Sequence, residues 1–246
     1  MSKPEQTAAA HAGPHDVAAG VQYDARHANA YERKIRALIP GYALLHELSS
    51  HLLVSWLGDA ATIVVAGSGT GEEISRYAAA NTGWHLAGVD PSADMQALAR
   101  QRLHAEGVLD RVALFTGKLS EVVLPGPYDA ATSLLVMHFL PDDGTKLAYL
   151  QALAAVLPIG APLLLADLTG TRGEADFDAL FRVWRQQQDA TRHNPDHVAL
   201  DFAHLERNVY PVSAARRAAL LAEAGFAIEL EYWRALGLSA ILATRS

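Results

Sequence analysis

Three glycines at alternate positions, Gly67, Gly69 and Gly71, end a run of small and β-branched residues, Ala61–Ala66, and helix-forming side chains begin at Glu72. Strand, glycine turn, helix is a unit that cradles a nucleotide: the glycines allow a tight backbone turn, and no Cβ blocks a ligand's approach. Nineteen positions after Gly71 stands Asp90, an acid closing a second apolar run, 84–89. A carboxylate there can accept both hydroxyls of a ribose. The competing role, a cap for the following helix, is served as well by Ser92. Two further groups could move a proton. His138 follows the apolar run 128–135, and Asp167 lies near the end of another, 161–168. A positioned base contributes about 10²–10⁴-fold when a hydroxyl must be deprotonated. Each also has a plainer role, His138 packed among Met137, Phe139 and Leu140, and Asp167 binding a backbone donor.

These residues need a frame that brings strand ends together. The runs 61–66, 84–89, 112–116, 128–135 and 161–168 read as strands, with helical patterns between them at 74–80, 93–103 and 144–157. In the last of these, Leu147, Leu150, Leu153 and Leu157 recur at spacings of three and four, one face of a helix. Strands alternating with helices predict an α/β fold with a doubly wound parallel sheet. A dinucleotide fingerprint needs its third glycine at the position held by Glu72, so the spacing argues against that ligand.

Before the first strand, 23–53 reads as two helices split at Ile39-Pro40-Gly41, because Pro40 ends the first. Helices in that place cover the mouth of a nucleotide site, which makes Tyr23, Tyr31 and Tyr42 candidate site residues; aromatics at helical spacing also serve as core. Residues 1–20 lack aromatics and periodicity and read as a mobile tail, with His11 and His15 as solvated histidines rather than metal ligands. The remainder, 21–246, reads as one domain. The stretch 169–212 breaks the alternation, placing Phe177, Leu180, Phe181 and Trp184 on one helical face near Arg182, Arg185 and Arg192. Residues 191–197 read as a loop, since Pro195 spoils the helical geometry that paired histidine ligands need. Ser213 caps a helix ended by Gly225, and runs at 227–234 and 238–244 predict a terminal hairpin on the sheet.

Composition removes several classes of function. The chain of 246 residues is 50% hydrophobic and has no cysteine, which excludes disulfides, a thiol nucleophile and a thiolate metal site. A formal net charge of −7 disfavours a nucleic-acid partner bound through phosphate neutralisation. No apolar run approaches the roughly 20 residues that span a bilayer. The expectation is a cytoplasmic protein with a small-molecule partner and no membrane; a homodimer is left open.

The G-x-G-x-G turn with its distant acid resembles motif I and the post-strand acid of the class I S-adenosyl-L-methionine (SAM) dependent methyltransferases. Tyr128-Asp129-Ala130, Leu157-Pro158-Ile159-Gly160-Ala161 and Ala224-Gly225-Phe226 also resemble segments of that family, over roughly 23–244. Tyr23-Asp24-Ala25-Arg26 with Ile39-Pro40-Gly41-Tyr42 is similar to the branch containing the carboxy-SAM synthases. The resemblance implies a Rossmann-like, mixed seven-stranded sheet with cap helices at 21–56 and a lid insertion at 169–212. It implies SAM as cofactor, held by Tyr42, Ala66, Gly67, Ser68, Gly69, Gly71, Asp90, Pro91, Lys118, Leu119 and Leu134. The acceptor pocket is expected between the cap helices and the insertion, with Tyr23, Tyr31, Trp184, Phe202 and Tyr210 as substrate residues. Phe181 adds to its apolar content, and Arg182 and Arg185 either recognise an acid or form a solvated helix face.

Three positions depart from the family's pattern. Val65 stands where an acid is usual two before the first glycine. Lys118 replaces an acid near the adenine and cannot accept from its amino group, leaving the backbone N–H of Leu119 for the ring. Phe202 falls where carboxy-SAM synthases use an arginine, removing a bidentate clamp, with Arg207 a nearby substitute. The expected activity is therefore SAM-dependent methyl transfer to a hydroxyl or other heteroatom of a small molecule. A carboxy-SAM synthase-like enzyme and a SAM-binding, non-catalytic partner are the alternatives.

Overall fold

The computed structural model describes residues 25–192 and 194–246. Its centre is one sheet of seven strands: β1 (Ala61–Ala66), β2 (Trp84–Asp90), β3 (Val112–Thr116), β4 (Ala130–Leu134), β5 (Pro162–Leu168), β6 (Phe226–Ala235) and β7 (Leu238–Arg245). The spatial order is β3-β2-β1-β4-β5-β7-β6. Strands β1 to β5 pair in parallel, and β7 runs antiparallel between β5 and β6. Every residue of β4 and β5 is buried, as expected of parallel strands covered on both faces.

Helices α1 (Ala25–Leu38) and α2 (Tyr42–Trp56) precede the sheet, and α3 (Glu72–Ala80) and α4 (Ala93–Ala105) link its first strands. Helix α5 (Thr145–Ala155) joins β4 to β5; α6 (Ala175–Thr191) and α7 (Pro195–Asn208) fill the insertion; α8 (Ala214–Glu223) leads into the hairpin. Two apolar cores result. One packs Val65, Tyr77, Trp84, Trp184 and Phe202 beneath α2, α3, α6 and α7; the other packs Leu150, Leu153 and Leu220 beneath α5 and α8. Because the chain moves from β1 towards β3 and then restarts at β4, the carboxyl ends of β1 and β4 diverge. That crevice is where ligands of open α/β sheets bind.

The split of the first two helices at Pro40 and the terminal hairpin stand as expected. One expectation fails: 195–197 is the first turn of α7 rather than a loop. Pro195 occupies the first helical position, where its missing N–H costs nothing, and the Asn194 side chain accepts from the N–H of Asp196 at 3.0 Å and of His197 at 3.4 Å. Asn-Pro there is a helix start, and reading Pro195 only as a breaker misses it.

Candidate active site

The glycine turn is built by backbone. At Gly67 φ is 76°, and an added Cβ would lie 2.3 Å from Val136 Cγ2, so only glycine fits. The N–H groups of Gly67 and Ser68 donate to Val89 O at 2.7 and 3.0 Å, tying the turn to the end of β2. Asp90 completes the tie: Oδ2 accepts from Gly69 N at 2.9 Å and Oδ1 from Ser92 N at 2.9 Å. Ser92 is the cap of α4, accepting from Met95 N at 3.3 Å. Gln96 fastens the same region from α4, with Nε2 donating to Ser68 Oγ at 3.2 Å and Phe115 O at 3.0 Å. Asp90 thus both orders the turn and presents a carboxylate on the cavity wall.

His138 stands beyond β4 on a short 3-10 turn, Met137–Phe139. The turn is held by Lys146 Nζ, which donates to Met137 O at 2.7 Å, and by Tyr210 N, which donates to His138 O at 2.7 Å. Asp167 Oδ1 accepts from the His138 backbone N–H at 3.0 Å and lies 3.0 Å from its Nδ1. Leu168 N also approaches Nδ1, at 3.4 Å. The carboxylate contact is shorter and charge-assisted, so it fixes the proton on Nδ1 and leaves Nε2 to take one.

Both constructions open into one cavity of about 1180 Å³. Its far wall comes from the helices: Ile35 and Leu38 of α1, Tyr42 and His46 of α2, and Leu200, His204 and Arg207 of α7. Ion pairs close this wall over the turn. Arg36 and Arg76 hold Glu72, which also accepts from Tyr42 Oη at 3.2 Å. Arg102 holds Glu32, which accepts from Thr70 Oγ1 at 2.7 Å. Lys34 and Arg192 hold Asp201 at 2.6 and 2.7 Å. A buried histidine and a buried carboxyl on this wall titrate far from their usual values. Burial, then the charges of Arg76 and Arg36, pushes His46 down to about 3; burial pushes Glu73 up to about 7 against the opposing hydroxyls of Thr132 and Tyr77. Among the described residues no cluster of His, Asp and Glu could hold a metal ion.

Tyr42, Gly67, Ser68, Gly69, Asp90, Pro91, Lys118, Leu119, Leu134 and His138 all line the cavity. Among the residues whose side chains are described, the other expected site residues do not. Ala66 closes β1 inside the core beneath α5 and α8, and Gly71 is the N-cap of α3. Asp167, 3% exposed, sits behind His138 with Oδ1 3.0 Å from its Nδ1 and does not line the cavity. Trp184 and Phe202 are core: their rings stand 5.3 Å apart, edge to face, and Trp184 Nε1 donates to Leu38 O at 2.7 Å. Tyr210 has an exposed ring and meets the site only through its backbone. Tyr23 lies outside the described residues; Tyr31 is on α1, and its side chain is outside them too. Arg207 lines the cavity, whereas Arg182 and Arg185 do not. Glu73 and His46 were missed, because nothing local marks an acid in a helix's first turn or a histidine on an apolar helix as buried.

The seven-stranded sheet, with its crevice and glycine turn, has the fold of the class I methyltransferases. Residues 64–163 match the family model described as a methyltransferase domain. Among solved structures, the pyocyanin biosynthetic protein PhzM is 18% identical with a TM-score of 0.64, over 90% of this chain and 59% of that one. The O-methyltransferase NcsB1 from neocarzinostatin biosynthesis, solved in complex with SAM and 2-hydroxy-5-methyl naphthoic acid, is 17% identical with a TM-score of 0.55, over 83% of this chain and 57% of that one. An uncharacterized protein of Synechococcus sp. is 35% identical over 102 residues, 41% of this chain and 24% of that relative's length. Among the described residues no helix is long and apolar enough to cross a membrane.

Proposed function

We propose that this protein transfers the methyl group of SAM to a hydroxyl on a small-molecule acceptor, with His138 as general base. The observation that carries the reading is the single cavity that joins the glycine turn and Asp90 to His138. The residues fit the cofactor: an added Cβ at Gly69 would meet nothing within 4 Å, so that part of the turn is open to a ligand, and Asp90 offers carboxylate oxygens for ribose hydroxyls. Tyr42, Gly67, Ser68, Gly69, Pro91, Lys118, Leu119 and Leu134 line the cavity as the other residues assigned to the cofactor.

When bound, SAM supplies a methyl group already activated on a sulfonium. The chain's own task is to align an acceptor and exclude water, which can contribute about 7–11 kcal/mol, and to remove a hydroxyl proton. His138 Nε2 takes that proton, and Asp167 stabilises the imidazolium that results. Helices α1 and α2 and the 169–212 insertion act as the lid. An O-methyltransferase among the structural neighbours supports a hydroxyl acceptor. The same reading takes the protein as cytoplasmic. It keeps a homodimer as the assembly to test by light scattering, supported by Leu44, Val54 and Trp56 exposed on α2.

Calorimetry with SAM and S-adenosylhomocysteine is the direct test, followed by mass spectrometry of a panel of phenols and hydroxy acids. Binding of both, and a gain of one methyl group on a hydroxyl compound, are expected. Failure of the folded protein to bind either one removes the reading.

A further inference from the structure

The charges on the cavity wall are unevenly matched. Glu32, Glu72 and Asp201 are each paired with arginine, and Glu121 is paired with Lys118 at 3.1 Å. Asp90 takes backbone N–H groups, and Asp143 lies exposed at the rim, bonded to Thr145. Glu73 differs from all of these. It is buried, lines the cavity and has no ion-pair partner among the described residues.

Its surroundings are polar but uncharged. Thr132 Oγ1 and, at 3.0 Å, Tyr77 Oη both donate to Oε1, which leaves Oε2 for the cavity. Thr132 of β4 is the register partner of Val65 in β1, so the carboxyl lies on the sheet face where β1 itself offers only an apolar side chain. The ionisable groups facing it are Glu72 and Tyr77 of α3, Tyr149 of α5 and Tyr232 of β6, with His46 of α2 on the same wall. None of these brings a positive charge at neutral pH: the tyrosines titrate high, and His46 is held neutral. A buried carboxylate without a cation is costly, and a ligand that carries the cation removes that cost.

We propose that Glu73 is the counter-charge for the ammonium group of bound SAM and gives up its own proton to solvent as the ligand binds. The proposal rests on the reading above that the cavity takes SAM. The ammonium is the better assignment than the sulfonium, because a carboxylate beside the reactive methyl would itself be a competing nucleophile. The balance is simple: a neutral carboxyl and a cationic ligand become an ion pair, and one proton passes to the buffer. Thr132 and Tyr77 then serve as fixed donors to the carboxylate formed.

The test is calorimetry on the full chain in buffers of different ionisation enthalpy, with SAM, S-adenosylhomocysteine and 5′-methylthioadenosine as ligands. The last keeps the nucleoside and lacks the amino-acid end. At pH 6, SAM and S-adenosylhomocysteine should each release close to one proton, and their affinity should rise about tenfold between pH 6 and 8, since Glu73 in the free protein titrates at about 7. Methylthioadenosine should release none. Glu73→Gln, which keeps the shape, should weaken SAM and abolish the proton release while leaving methylthioadenosine unchanged. Binding of SAM by the wild type without proton release, or release with SAM alone and not with S-adenosylhomocysteine, overturns the assignment and leaves the cofactor reading standing. Absence of binding by all three ligands removes the cofactor reading itself. The wild-type proton count decides the matter even if the variant does not fold.

Discussion

The two sides of the cavity are made differently. The side proposed for the nucleoside is backbone: a turn locked to β2 through Gly67, Ser68 and Val89, and an Asp90 carboxylate that takes two N–H groups. The acceptor side is side chains from helices far apart in sequence, joined by Glu32 to Arg102, Arg36 to Glu72 and Lys34 to Asp201. Backbone geometry fixed by packing leaves little freedom, so the first side is preformed. Each ion pair there joins a largely buried carboxylate to a more exposed cation, so the second side is set by side-chain pairing rather than by backbone. The proposed methyl transfer calls for a fixed place for the nucleoside and a wall that excludes water around the acceptor.

The contrast makes measurable claims, beginning with the largest. His138→Ala should lower turnover by about 10²–10⁴-fold and leave SAM affinity unchanged, because the base serves the acceptor and not the nucleoside. Steady-state kinetics set beside calorimetry would expose a purely packing histidine, whose loss lowers the melting temperature and affinity together. Gly67→Ala strikes the other side. A Cβ placed 2.3 Å from Val136 at φ 76° should cost about 2–5 kcal/mol of stability, read by chemical denaturation. Gly69→Ala has open space around its Cβ, so only its backbone strain, about 1–2 kcal/mol, should appear.

Asp90→Ala should weaken SAM by about 1.5–3 kcal/mol in calorimetry, since the proposed ribose contacts and the order of the turn both depend on it. Unchanged affinity in the folded variant would leave Asp90 only as a loop fastener.

Glu73 and His46 share one wall and should oppose each other in pH. Glu73 is raised from 4.5 to about 7, so the folded chain keeps a proton that the unfolded chain releases, and stability falls as pH rises through that window. His46 is depressed from 6.5 to about 3, so the unfolded chain takes up a proton first and stability falls as pH drops through that range. Glu73→Gln should therefore stabilise the free protein at pH 8, on the order of 1–3 kcal/mol, and make little difference at pH 4. Thermal melts across pH would reveal a Glu73 of ordinary acidity as equal curves for variant and wild type.

The smallest effect belongs to the screened latch. Arg36 is 41% exposed, so Arg36→Ala should cost well under about 1 kcal/mol of stability. Its trace should be faster dissociation of SAM at low salt, in stopped flow, with the difference vanishing at high salt.

What could be read in the chain follows this division. The turn and Asp90 were legible because a strand, a glycine spacing and an acid lie close in sequence and each has a local steric or hydrogen-bonding reason. Trp184 and Phe202 were misassigned to the pocket because helical spacing shows which side chains share a face and not what that face meets. Asp167 stands at a strand end, as its spacing suggested, but its burial against His138 could not be read from the chain. Glu73 was invisible because its meaning depends on Thr132, 59 positions away.

The sequence alone determined the order of strands and helices, the motif I turn and the absence of thiol chemistry, since these rest on periodicity, local sterics and composition. Only the tertiary structure decided which aromatics are core, that Asp167 sits buried against His138, and that Glu73 is a buried acid with no cation among the described residues. Those are statements about burial and about partners distant in the chain, and desolvation is set by whatever the fold places around a group.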